Sequence, residues 1–148
     1  PVHQIGKLEI KAEKICVILD VSASMTPNVS AAAEEAKSLA LSTGGMLLKI
    51  NGCSLDDAFV ANVGAFAAAG ADAVYWLCDL RDPQVKRSIE ELSVILKTTK
   101  TKLYVTSWEK LPSPKLDRLI RKSGGAFEFR GSPSQIPAIA GTALPQNP

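Results

Sequence analysis

Ile15-Cys16-Val17-Ile18-Leu19-Asp20-Val21-Ser22-Ala23-Ser24 is the stretch on which the reading of this chain turns. Its first five residues are apolar without interruption and rich in β-branched side chains. That is the pattern of a strand buried on both faces, as in a parallel sheet. Asp20, Ser22 and Ser24 follow at alternate positions where the strand stops. An acid and two hydroxyls on one tight loop, with no His or Cys among them, make an all-oxygen set suited to a hard cation, Mg²⁺ or Mn²⁺. The competing reading is that these side chains cap the helix that follows, a place Asp and Ser favour.

Outward from this strand, strands and helices alternate. A helix is expected over 28–42, with Thr26 as its cap, Pro27 at its first position and Gly44-Gly45 ending it. Val29, Ala33, Ala36 and Ala40 mark its buried stripe, and Met46 to Ile50 reads as a second strand. The helix expected over 55–69 has one apolar face of Leu55, Phe59, Val63 and Phe66 and another of Ala58, Ala61, Ala65 and Ala68. Two apolar faces imply a helix covered on more than one side, or one that offers a partner surface. Val74 to Cys78 is a third strand ending at Asp79, and Asp82-Pro83 is expected to cap a helix carrying Val85, Ile89, Leu92 and Leu96. Leu103 to Ser107 is a fourth strand. Ser113-Pro114 opens a last helix with Leu116, Leu119 and Ile120 inward, closed by Arg121, Lys122 and Gly124. Ala126 to Arg130 is a fifth strand, and Lys7 to Ile10 is expected to add an edge strand.

This alternation predicts an α/β fold: a Rossmann-like three-layer α/β/α sandwich around a mostly parallel sheet of about five or six strands. Ligands in such sheets bind at the carboxyl ends of strands, where the strand order switches. Asp20 and Asp79 both occupy such ends, so the two acids meet in one crevice if their strands are neighbours. Residues 1–131 read as one domain with its core over 14–131. Residues 132–148 hold four prolines and no periodicity, and read as a loosely packed or disordered tail.

Composition narrows the function. The chain has 148 residues, 46% hydrophobic and 22% charged, enough for one soluble domain with a proper core. A net charge of +2, with scattered Lys and Arg, excludes a nucleic-acid stripe. No apolar run approaches the ~20 residues that span a bilayer. The chain begins at Pro1 rather than Met, which reads as a piece excised from a longer protein and leaves room for a leader or anchor outside it. Cys16, Cys53 and Cys78 match no zinc or CxxC spacing, and an odd count leaves at least one free. Cys16 and Cys78 lie in expected strands and read as inert core thiols.

The order of motifs resembles the von Willebrand factor A domain and its metal-ion-dependent adhesion site. The likeness rests on Asp20-x-Ser22-x-Ser24 after a buried strand, followed by Met25 and a helix. Gly52-Cys53-Ser54-Leu55-Asp56-Asp57-Ala58 is similar to the family's second metal loop, and Asp79 to its last acidic residue. Leu116 to Phe129, with Gly124-Gly125 before a strand, is also familial in pattern, so the likeness covers residues 14–131. It implies that Ser22, Ser24 and Ser54 offer hydroxyl oxygens to Mg²⁺ or Mn²⁺, with Asp20 and Asp79 holding the ion directly or through water. It further implies an open position that takes an Asp or Glu carboxylate from a partner protein, with Met25, Cys53, Arg81 and Trp108 as partner contacts. Three departures stand out. Ser54 replaces the usual Thr, Cys53 stands where glycine is frequent, and the stretch before the Ser54 loop has room for one strand where the family commonly has two, which implies a sheet trimmed to five main strands in the order 2-1-3-4-5.

The expected function is therefore binding rather than catalysis: a divalent-metal-dependent adhesion or interaction module, with no nucleic-acid or small-molecule partner. Similar short domains occur in membrane-anchored bacterial proteins, which implies an extracytoplasmic setting and leaves a cytoplasmic one open. The alternative is a metal-free interaction domain contacting partners through the Ala-rich helix or the Trp108 region. Single residues have plainer readings too: Ser54 as the cap of the helix after it, Asp79 as the partner of Arg81, Trp108 as a cover over the sheet end. An Mg²⁺-dependent phosphatase of the haloacid-dehalogenase type needs a second acid two residues after Asp20, where this chain has Ser22. A Ser-His-Asp hydrolase needs a base, and His3, expected in a mobile terminus, is the sole histidine. No glycine-rich phosphate loop follows the first strand.

Overall fold

Two strands have no wet face. In β3 (Ile15–Asp20) and β5 (Ala73–Cys78) every residue is buried, as their unbroken apolar sequences require. A computed structural model describes residues 1–131 and shows why. These strands are the interior of a five-stranded parallel sheet completed by β4 (Leu47–Ile50), β6 (Lys102–Ser107) and β7 (Phe127–Phe129). The order is β4-β3-β5-β6-β7, the 2-1-3-4-5 arrangement expected of a trimmed α/β sheet. Four helices flank it: α1 (Thr26–Thr43), α2 (Asp57–Ala68), α3 (Lys86–Thr99) and α4 (Pro114–Lys122). The tail over 132–148 lies outside the described residues. Among the described residues, no helix is long and apolar enough to cross a membrane.

Period-two alternation divides the core into two layers. Ile18, Val74, Trp76, Leu103 and Val105 point to the side of α2, α3 and α4. Ile15, Val17, Leu19, Tyr75, Leu77 and Tyr104 point to the side of α1. One helix cannot cover that second face alone. The gap is filled by an antiparallel hairpin, β1 (Val2–Ile5) and β2 (Leu8–Lys11), which forms a sheet of its own. Leu8 and Ile10 turn inward, and the Lys11 N–H donates to the Tyr104 hydroxyl at 3.2 Å. The segment read as an edge strand is thus a lid on the sheet face, and His3 sits within β1 rather than in a loose end.

Several local expectations give way to tertiary context. Met25, not Thr26, occupies the cap position of α1, because a short 3₁₀ turn over Ala23–Met25 runs straight into the helix. The buried stripe of α1 is Ala32, Ala36, Leu39 and Ala40, with Val29 and Ala33 half-buried. On α2, Phe59, Val63 and Phe66 are buried, but Ala58, Ala61, Ala65 and Ala68 are exposed, so one face only is covered. Alanine is the best helix former and exposes little apolar area, so a stripe of it needs no cover. Asp82 does not cap α3, whose cap position is Val85; its carboxylate is used elsewhere.

The two edge strands join the sheet by one device. Gly44 ends α1 in the left-handed region (φ 70°), and a Cβ on Gly45 would overlap the Ile15 carbonyl of β3. At the far edge, a Cβ on Gly125 would overlap the Leu103 carbonyl of β6. Each glycine pair lets the incoming strand press against its neighbour's main chain.

Candidate metal centre

Asp20 is the last residue of β3, and Asp79 follows β5 directly. These strands are paired in parallel, with Leu19 opposite Leu77, so the two carboxylates emerge side by side. The chain leaves β3 for α1 on one face and β5 for α3 on the other. The loops therefore diverge at the point where strand order reverses, and a crevice opens there.

Both acids are buried, at 0% and 2% exposure. Asp20 Oδ1 accepts from the Ser22 N–H at 2.8 Å and from the Gly52 N–H at 3.1 Å, tying the loops after β3 and β4 together. Among the described residues, Asp20 Oδ2 is buried without any donor. Asp79 Oδ1 accepts from the Arg81 N–H at 3.1 Å, and its Oδ2 accepts from the Ser24 hydroxyl. Ser24 Oγ in turn lies 3.1 Å from Ser22 Oγ. Asp20, Ser22, Ser24 and Asp79 thus form one connected group. Among the described residues, no Lys, Arg or His side chain pairs with either carboxylate. Arg81 pairs with Glu109 instead, Nε to Oε1 at 3.1 Å, and meets Asp79 through its backbone only.

Cys53 also belongs to the group. Its Sγ donates to Asp79 Oδ1 at 3.2 Å, and single ligand atoms of Asp20, Cys53 and Asp79 lie within 4.8 Å of one another. Asp82 holds the cysteine from both ends: Oδ2 accepts from the Cys53 N–H at 2.7 Å, and the Asp82 N–H donates to Sγ at 3.4 Å. Burial pushes the Cys53 thiol well above its ordinary pKa; the Asp82 contact offsets part of this, while Asp79 and Asp20 push the same way as burial. In the absence of a cation the group is a neutral thiol. Burial likewise raises Cys78 in the strand beneath, and all three cysteines are free.

Ser54 stands apart. It is half-buried, borders a separate crevice of about 210 Å³ with Gly52, Asp56 and Asn62, and makes no hydrogen bond to the group among the described residues. It does not cap α2 either; Asp56 does, accepting from the Phe59 N–H at 3.1 Å. Of the four expected partner contacts, Met25 and Cys53 are fully buried, leaving Arg81 and Trp108 within reach of a partner. Trp108 is half-buried: it packs against the α1-side core and also lines a crevice of about 280 Å³ with Ser24, Asn28, Asp79, Glu109 and Arg130. That crevice connects Asp79 and Ser24 to solvent. A larger hollow of about 610 Å³ is lined by Lys97, Lys100, Lys102 and Lys122. Three of these lysines sit at the C-terminal ends of α3 and α4, where cations offset the helix dipoles.

No family model, curated protein or solved structure matches this chain. Its chemistry must be argued from the donor set. Two buried carboxylates without a counter-cation among the described residues, one of them with an orphaned oxygen, together with two hydroxyls and a thiol, could hold a metal ion.

Proposed function

We propose that this chain is a protein-binding module of von Willebrand factor A type, in which a divalent cation held by Asp20, Ser22, Ser24 and Asp79 accepts an acidic residue of a partner. The observation that carries this reading is the buried Asp20 Oδ2, which has no hydrogen-bond donor among the described residues, beside the buried Asp79. A buried acceptor left unpaired costs about 1–3 kcal/mol, and like charge close by adds to it. A cation relieves both. Ser22 and Ser24 add neutral oxygens, so the ion keeps part of its positive charge, and Mg²⁺ retains exchangeable waters. A carboxylate reaching in through the crevice beside Trp108 would take the place of one of them. Ser54 is the one expected ligand that this network leaves out, and a role for it needs a change of side-chain or loop position.

Binding without catalysis is supported by the same chemistry. Ser22 holds the position where a phosphatase of this topology would need its general acid. Isothermal titration with MgCl₂ and MnCl₂ tests the proposal. Wild type is expected to bind one ion, and Asp20→Ala to bind none while keeping its circular-dichroism spectrum. No heat with either ion, together with no Mn²⁺ relaxation enhancement, overturns it. A partner that stays bound in chelator would favour the metal-free alternative.

A further inference from the structure

The sulfur distinguishes this cluster from an all-oxygen site. Cys53 Sγ is buried 3.2 Å from Asp79 Oδ1, within the group whose ligand atoms are mutually closer than 4.8 Å. It is also oriented. The Asp82 N–H donates to the sulfur, and the Asp82 carboxylate fixes the Cys53 N–H. Outer-shell hydrogen bonds of this kind orient ligands and tune metal–thiolate sites. A second, independent observation points to a ligand at the same place: Asp20, 0% exposed, keeps one carboxylate oxygen without a donor.

Resting on the metal-binding reading above, we infer that this site binds Zn²⁺ in preference to Mg²⁺, through Asp20, Asp79 and the thiolate of Cys53. Mg²⁺ is hard and gains little from sulfur, whereas Zn²⁺ bonds thiolate, imidazole and carboxylate alike. Three protein ligands with a fourth position open is a common zinc arrangement, and the open position is where a partner's carboxylate would bind. On binding, the Cys53 S–H bond breaks and an S–Zn bond forms. The proton passes to solvent, and nothing is oxidised or reduced. The hydrogen bond from Cys53 to Asp79 Oδ1 is lost in the same step, which frees that oxygen for the metal.

Cobalt makes the inference visible, because Co²⁺ bound to a thiolate absorbs strongly in the near ultraviolet and Co²⁺ bound to oxygens does not. Titrating the metal-free full chain with CoCl₂ is expected to raise that band, and ZnCl₂ to abolish it by displacement. Cys53→Ser preserves size and a donor to Asp79. It is expected to lose the band and about tenfold or more in Zn²⁺ affinity. Cys53→Ala should behave alike, so a folding defect of one variant does not decide the outcome. Cobalt binding to wild type without the band overturns the inference, as does equal Zn²⁺ affinity in wild type and Cys53→Ser. If Mg²⁺ binds while the zinc and cobalt results ignore Cys53, this inference alone fails. If the folded wild type binds none of the three ions, the adhesion-site reading falls with it.

Discussion

Arg130, one residue past β7, donates through Nη1 to both carboxylate oxygens of Glu35 on α1, at 2.8 and 3.0 Å. Its Nε donates to Glu128 at 2.9 Å, and its guanidinium lies 5.6 Å from the centre of the Trp108 ring. Glu128 also accepts from the Lys7 N–H at 2.8 Å. One cation therefore joins α1, the last strand, the hairpin and the crevice wall. Its side chain is only 21% exposed, so the pairs are shielded from water. Arg130→Ala would leave Glu35 and Glu128 without their charged partner, a loss of about 1–3 kcal/mol. Urea unfolding should show a lower midpoint at unchanged slope.

Metal should be read out as stability. An ion that binds only the folded chain adds about 2.7 kcal/mol at a hundredfold excess over its Kd. The melting temperature of wild type should rise with added divalent ion and fall back in EDTA. Asp20→Asn should be unresponsive to either. In chelator this variant should be as stable as wild type or more so, because it removes one of two adjacent buried charges. A melting curve that responds to metal in Asp20→Asn would contradict this.

The two faces of α2 should answer differently to substitution. Phe59 packs on Trp76 with ring centroids 4.4 Å apart, so Phe59→Ala should cost about 3–5 kcal/mol. Ala61→Glu, on the exposed alanine stripe, should change stability by no more than about 0.5 kcal/mol. Chemical denaturation of both variants compares them directly.

Asp72 should give a distinct acid dependence. Burial raises its pKa, but the N–H groups of Glu13 and Lys14, its own N–H and Lys102 outweigh that, so the net shift is downward. A carboxyl depressed in the folded state stabilises above its unfolded pKa, and that contribution is lost as pH falls through the folded value. Part of the acid limb, below the ordinary Asp value of 3.8, should therefore belong to Asp72. Asp72→Asn should flatten that limb in a series of urea titrations, and leave the neutral-to-alkaline range parallel to wild type.

What the sequence made legible was local. Asp20, Ser22 and Ser24 are neighbours in the chain, and the buried strand before them announces the loop. Strand–helix alternation put Asp79 at the carboxyl end of a strand, and the pairing of β3 with β5 in the structure brings it alongside Asp20. Cys53 was expected as a partner contact, and its place against Asp79 was hidden because it depends on two distant loops being laced together. Leu55 bridges to Gln84, the Leu55 N–H donates to Pro83, and Asp82 clasps Cys53. Asp82-Pro83 carries the local signature of a helix cap, and only this long-range contact shows that the acid is otherwise engaged. The alanines of α2 misled for a different reason: their helical spacing is the same whether the face is covered or wet.

The paired glycines at the sheet's edges have a consequence for how damage would travel. Gly45 lies two residues before β4, and Gly52, whose N–H holds Asp20 Oδ1, lies two residues after it. A side chain at Gly45 would push β4 off the Ile15 carbonyl and pull Gly52 away from the acid at the opposite end. Gly45→Ala should thus register first as weakened ion binding, seen by titration, while the circular-dichroism spectrum is still that of the folded chain. Gly125→Ala would displace β7 and Arg130 instead, and register first as a lower melting temperature. Two lesions alike in geometry would part company in what they disable: one the chemistry of the protein, the other its endurance.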